Sequence, residues 1–109
     1  MKALVSIVIS LFAASAVSLH AADAKANWDA NCAQCHGKTG NADTKMGKTL
    51  NAKDLTDAKV QAAFTDAKAT QSITEGVKDG GKTTMKAFGG KLTADEIKAL
   101  VVYVRTLKK

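Results

Sequence analysis

The chain has 109 residues, with 16 lysines and arginines against 10 acids, 2 cysteines and no proline. That length excludes a large enzyme, a multi-domain protein and a membrane bundle. Beyond residue 22 the only aromatics are Trp28, Phe64, Phe88 and Tyr103. So small a domain buries too little surface for a self-sufficient apolar core, and a disulfide, metal or cofactor is expected to help fill it.

The first residues read as a leader. Lys2 is followed by Ala3 to Leu19 without a charge, then by Ala21-Ala22-Asp23-Ala24. Basic, apolar and small, in that order, is the pattern of a secretory signal peptide. Ser6, Ser10, Ser15 and Ser18 interrupt the run. It therefore falls short of the roughly 20 apolar residues that a spanning helix wants, and an uncleaved anchor is the weaker alternative. The expected division is a signal peptide over 1–22, cut between 21 and 24, and one domain over 23–109. Export puts that domain in the periplasm, with no stable membrane insertion after cleavage. Lys2 is the leader's only base, so the domain keeps the basic excess.

In chain order, Asp23 to Gln34 is alanine-rich, and Ala24, Trp28 and Cys32 share a helical face at four-residue spacing. Asp23 is the expected N-cap once cleavage has spared it. Gly37 ends this helix, and a polar loop punctuated by Gly40 and Gly47 runs to about Leu50. Thr56 to Phe64 reads as a short helix with Val60 and Phe64 inward. Thr65 or Asp66 caps another, which passes through Ile73 and stops at Gly76. Gly80-Gly81 opens a second loop, closed by Gly89-Gly90. The last helix carries the clearest signal. Thr93-Ala94-Asp95-Glu96 is a capping box, and Ile97, Leu100, Val101, Val104 and Leu107 follow the helical period. Lys108 and Lys109 lie at the negative end of its dipole. No alternating run suggests a strand, so the expected fold is all-α.

Both cysteines lie in one pentapeptide, Cys32-Ala33-Gln34-Cys35-His36. A disulfide there would close a tiny loop and constrain little of the unfolded chain. A thioredoxin-type pair wants a strand–helix–strand context. Structural zinc wants four ligands, and outside the leader the chain offers two cysteines and one histidine. Cys-x-x-Cys-His is, by contrast, the attachment sequence of a c-type haem. Thiols one helical turn apart can each meet a vinyl group, and the next residue, His36, is then held under the iron. Haem also answers the shortage of core, being a large apolar plate for a small chain to wrap.

The sixth iron position decides what such a haem does. Its candidates are Met46, Met85, a lysine or no ligand. Methionine is commonly core filler. Met85, however, sits in the polar stretch Lys82-Thr83-Thr84-Met85-Lys86, in a glycine-flanked loop able to cross to the opposite face. Met46 lies in the loop that leaves the His36 side. Met85 is therefore the expected ligand.

With these residues in view, the chain resembles the class I, single-haem bacterial cytochromes c over essentially all of 23–109. The resemblance is carried by Trp28 to Gly37, by Met85-Lys86-Ala87-Phe88-Gly89, and by Leu100-Val101-Val102-Tyr103-Val104-Arg105. It implies three to five short helices wrapped around one covalent haem c, held by Cys32 and Cys35, with His36 and Met85 on the iron. It also implies that the first and last helices cross, with Trp28 and Tyr103 at the crossing, and that the activity is electron transfer. Two departures stand out. Lys86 follows the methionine where many relatives have proline, and no proline carbonyl is present to orient the His36 ring. A carbonyl from Thr44 to Leu50 is expected to replace the latter.

The expected function is that of a monomeric electron carrier passing one electron between redox partner proteins. The alternative is a haem sensor or small haem enzyme with an open sixth site. No general base, arginine clamp or second metal suggests turnover. Lys45, Lys48, Lys78, Lys82, Lys86 and Lys91 lie in or beside the loops expected to rim the haem edge. They form either a solvated surface or a docking face for acidic partners. Nucleic acid is not an expected target.

Overall fold

A computed structural model describes residues 18–109, with side chains from residue 23 onward. The expected signal peptide lies outside the described residues except for the backbone of 18–22. Helix α1 spans Ser18–Asn31 and runs through the expected cleavage window. Asp23 is consequently inside the helix and does not cap it. The physical reason is local: Ala21, Ala22, Ala24 and Ala26 surround it with helix formers, and no glycine or proline interrupts.

The rest of the order is α2 (Ala33–His36), α3 (Lys45–Thr49), α4 (Ala58–Ala62), α5 (Asp66–Glu75), β1 (Val77–Asp79), β2 (Lys82–Met85) and α6 (Ala94–Thr106). Six helical segments among the described residues exceed the three to five expected, because α2, α3 and α4 have only 4, 5 and 5 residues. Two of these differ from expectation. The loop after Gly37 contains α3, whose N-cap Thr44 accepts a hydrogen bond from Gly47 N at 2.9 Å. The helix expected over Thr56–Phe64 is shorter, starting after Asp57, whose carboxylate accepts from Lys59 N at 2.8 Å. Helix α5 is capped by Thr65 and stopped by Gly76, as its residues predict.

The stretch read as a second loop is an antiparallel hairpin. Val77 stands opposite Met85 and Asp79 opposite Lys82. Gly80 and Gly81 both take positive φ, 57° and 81°, which a two-residue hairpin turn requires. Its residues are exposed apart from Thr84 and Met85, so neither face imposes alternation on the sequence.

The core is Trp28, Ile73, Phe88, Leu92, Ile97, Leu100, Val101 and Val104. Four of these are the α6 stripe read from the sequence. Among the described elements, α1 and α6 pack against each other most extensively. There the rings of Trp28 and Tyr103 lie 5.6 Å apart at 50°, and Asn27 Nδ2 donates to Glu96 Oε2 at 3.1 Å. The same Glu96 closes the capping box, its other oxygen accepting from Thr93 N at 3.0 Å.

The α4 residue that turns inward most is Gln61, 5% exposed, and Val60 is only half-buried. Gln61 Nε2 donates to Leu55 O at 2.7 Å and to Val104 O at 2.8 Å. Its Oε1 accepts from Arg105 Nη1 at 2.9 Å. Arg105 also donates through Nη2 to Phe64 O at 2.8 Å and through Nε to Asp66 at 2.8 Å, with its guanidinium 4.4 Å from the Phe64 ring centre. One amide and one guanidinium thus fasten the α4–α5 segment to α6. Replacing Gln61 with Leu orphans the Leu55 carbonyl, leaves the Val104 carbonyl only its Leu107 N donor, and takes an acceptor from Arg105. We expect a loss of about 2 kcal/mol of unfolding free energy, read from denaturant unfolding; an unmoved midpoint would contradict this role.

Candidate functional site

The Cys32–His36 pentapeptide straddles the junction of α1 and α2. Cys32 N donates to Trp28 O at 2.8 Å, continuing α1, while His36 N donates to Cys32 O at 2.9 Å. Helical spacing therefore holds across the whole motif. Gly37, at φ 81°, then turns the chain away from the helix. The following loop is tied back to the motif at three points. Trp28 Nε1 donates to Gly37 O at 3.0 Å, Ala42 N to His36 O at 2.8 Å, and Thr44 Oγ1 to Cys35 O at 2.7 Å.

A cleft of about 200 Å³ opens beside this motif. Trp28, Cys32 and His36 form one border, and Leu55 and Phe64 another. Helix α5 contributes Lys68, Ala69, Ser72 and Ile73; α6 contributes Leu100 and Val104; Met85 comes from the end of β2. Three of the four expected site residues, Cys32, His36 and Met85, thus border one cleft. Cys35 is half-buried and is not part of its lining. Met46 is 41% exposed on α3 and does not border it either.

Burial shapes the electrostatics. Burial, and then the neighbouring Cys35, push the Cys32 thiol up to about 11. Burial likewise holds the His36 imidazole below its ordinary range, favouring the neutral ring that can bind a metal. Its Nδ1 is buried with no hydrogen-bond partner among the described residues. The carbonyl expected from Thr44 to Leu50 is therefore not supplied. That segment packs instead against the backbone of Cys35, through Thr44 Oγ1 and the close approach of Gly47 to Cys35 O. An apolar wall, two thiols in helical register, a buried neutral imidazole and a thioether fit a haem. No disulfide joins the two cysteines.

Leu55, Lys68, Ala69 and Ser72 were not singled out by sequence reasoning, whereas Phe64 was expected to face inward. The α5 set had a signal, since 68, 69, 72 and 73 lie on one helical face. Leu55 had none; it is brought in by Leu55 N donating to Gly40 O at 2.8 Å and by Gln61.

The lysines divide. Lys48 pairs with Asp43 at 2.9 Å, and Lys86 lies 5.5 Å from the Phe88 ring centre. Lys78 and Lys82, joined by Lys53, line a polar groove between the hairpin and the end of α3, with Asp79 beside them.

Residues 20–104 match the family described as cytochrome C oxidase, cbb3-type, subunit III. The chain is 42% identical over 78 residues to the Cbb3-type cytochrome c oxidase subunit FixP of Azorhizobium caulinodans, covering 72% of this chain but 24% of that protein. It therefore spans about a quarter of that relative's length. With cytochrome c6 of Rippkaea orientalis it shares 38% identity over 111 residues, covering 95% of this chain and 92% of the relative. A second cytochrome c6, from Gracilaria tenuistipitata var. liui, is 35% identical over 77 residues, covering 71% of this chain and 63% of that protein. Among solved structures, the KustC0563 c-type cytochrome superposes with a TM-score of 0.72 at 38% identity, covering 80% of this chain and 99% of that one.

Proposed function

Because the chain belongs to the single-haem class I cytochromes c, we propose that it is a periplasmic carrier of single electrons whose iron ligands are His36 and Met85. The family's cofactor is one covalently bound haem c, and its activity is electron transport. When bound, haem c supplies a reversible one-electron iron couple. In this chain Cys32 and Cys35 are the residues to hold it by thioethers. The observation that carries the reading is that His36 and Met85, distant in sequence, border the same apolar cleft as Cys32.

Each residue then has a task. The buried His36 ring stays neutral and keeps a nitrogen free for the iron. The Met85 thioether favours the ferrous state more than a second nitrogen ligand would. Leu55, Phe64, Ile73, Leu100 and Val104 exclude water, which also disfavours the extra positive charge of the oxidised form. The ionisable side chains at the cleft are Cys32, His36 and Lys68. The first two would hold the group, and a sixth position taken by Met85 favours a carrier over a sensor or enzyme with that position open.

Residues 1–22 act as a cleaved signal peptide in this reading, leaving a monomeric domain over 23–109. Among the described residues no helix is long and apolar enough to cross a membrane. Redox partner proteins meet a basic face that includes Lys53, Lys78 and Lys82, and acidic surfaces suit it.

Two outcomes follow. Met85→Ala in the haem-loaded protein should abolish the sulfur-to-iron charge-transfer band, lower the reduction potential and let the ferrous form bind carbon monoxide. An unchanged spectrum in that variant would sink the ligand assignment. Electron exchange with an acidic redox partner should slow as ionic strength rises, and a salt-independent rate would remove the docking role of the lysines.

A further inference from the structure

Lys86 follows Met85 directly, so no proline stiffens the chain at this point. The structure holds it in another way. Upstream, Met85 is the last residue of β2 and pairs with Val77. Downstream, Phe88 N donates to Ile73 O at 2.9 Å and Gly89 N to Thr74 O at 3.1 Å. Those acceptors belong to the last turn of α5, where carbonyls have no partner within the helix. The segment after Met85 thus satisfies the end of the helix whose face lines the cleft.

Gly76 lies in the seam between them. A Cβ at this position would stand 2.7 Å from Met85 O, 2.9 Å from Ala87 N and 3.1 Å from Lys86 C. All three are backbone atoms, so no side-chain rotation relieves the contact. Reaching an ordinary carbon-to-oxygen separation of about 3.3 Å requires the two backbones to part by roughly half an ångström. Gly89 closes the same seam from the other side, where a Cβ would stand 2.9 Å from Thr74 O.

We propose that Gly76 is a positioning residue for Met85: its bare backbone sets how closely the Met85–Ala87 segment lies against α5, and so keeps the thioether at the cleft. The proposal rests on the His36/Met85 reading. Ala69, Ser72 and Ile73 of α5 wall the cleft, so a shift of this segment away from α5 is a shift of Met85 away from the cleft.

Two controls separate contact from backbone strain: Gly89 meets the seam without a positive φ, and Gly81 has a positive φ without a contact. Gly76 and Gly81 have nearly the same positive φ, 80° and 81°, but a Cβ on Gly81 meets nothing within 4 Å. Alanine is strained at either position, and it collides only at the first.

The experiment compares haem-loaded wild type with Gly76→Ala, Gly81→Ala and Gly89→Ala. It reads the sulfur-to-iron band of the oxidised form and carbon monoxide binding by the ferrous form, with circular dichroism to register folding. Gly76→Ala should lose the band and bind carbon monoxide while remaining helical, and Gly81→Ala should keep the wild-type behaviour. If Gly76→Ala yields no folded protein, Gly89→Ala decides, because it opens the same seam without a positive φ; it should weaken the band. Retention of the full band in the folded seam variants overturns the proposal, as does an equal loss in Gly81→Ala. A wild-type protein without the band would instead overturn the ligand assignment itself, and the proposal with it.

Discussion

The indole of Trp28 packs against Tyr103 of α6, with its ring centre 5.7 Å from that of His36, and its Nε1–H donates to the carbonyl of Gly37. It is 2% exposed and borders the cleft. One side chain therefore couples the two end helices, the residue that terminates the cysteine–histidine motif, and the wall of the site. In so small a chain there is little else of comparable size to do this. The other large aromatics, Phe64 and Phe88, serve the opposite side of the cleft and the seam beside α5. Most of the remaining core is the aliphatic stripe of α6, which needs α1 against it to be buried at all.

Around that crossing, the rest of the architecture consists of short segments fastened mainly by polar contacts. Gln61 and Arg105 join α4 and α5 to α6 through carbonyl oxygens and one aromatic face. The last turn of α5 is completed by Phe88 and Gly89. Thr44 joins α3 to the Cys35 carbonyl. Such fastenings hold loops in place with little apolar burial, which leaves the apolar side chains free to line a cleft. That division of labour suits a protein whose interior is meant to be completed by a cofactor.

What could be read from the sequence follows the same division. Helix α6 was legible because a capping box and five apolar residues in helical register agree. Helix α5 was legible from Thr65 and Gly76, and the face of α1 from Ala24, Trp28 and Cys32. Met85 stood out as a methionine among lysines and threonines, although it packs half-buried against the core. Helix α3 was hidden because five residues that include Gly47 carry no amphipathic period, and only Thr44 marks the start. The hairpin was hidden because its strands bury neither face, so backbone pairing and the Gly80-Gly81 turn hold it without a side-chain pattern. Gln61 was missed because a buried glutamine is defined by the carbonyls it meets, and these come from distant segments. The expected carbonyl for His36 failed for a related reason: the loop that could supply it is drawn to the backbone of Cys35.

A covalent haem belongs in the cleft bounded by Trp28, His36 and Met85. The most direct test is the visible spectrum of the exported protein, oxidised and reduced, before and after acid–organic extraction. Colour that stays with the protein through extraction, with a sharp reduced spectrum, is the predicted result. Haem that extracts freely, or a protein without haem whose two cysteines remain free, would contradict it.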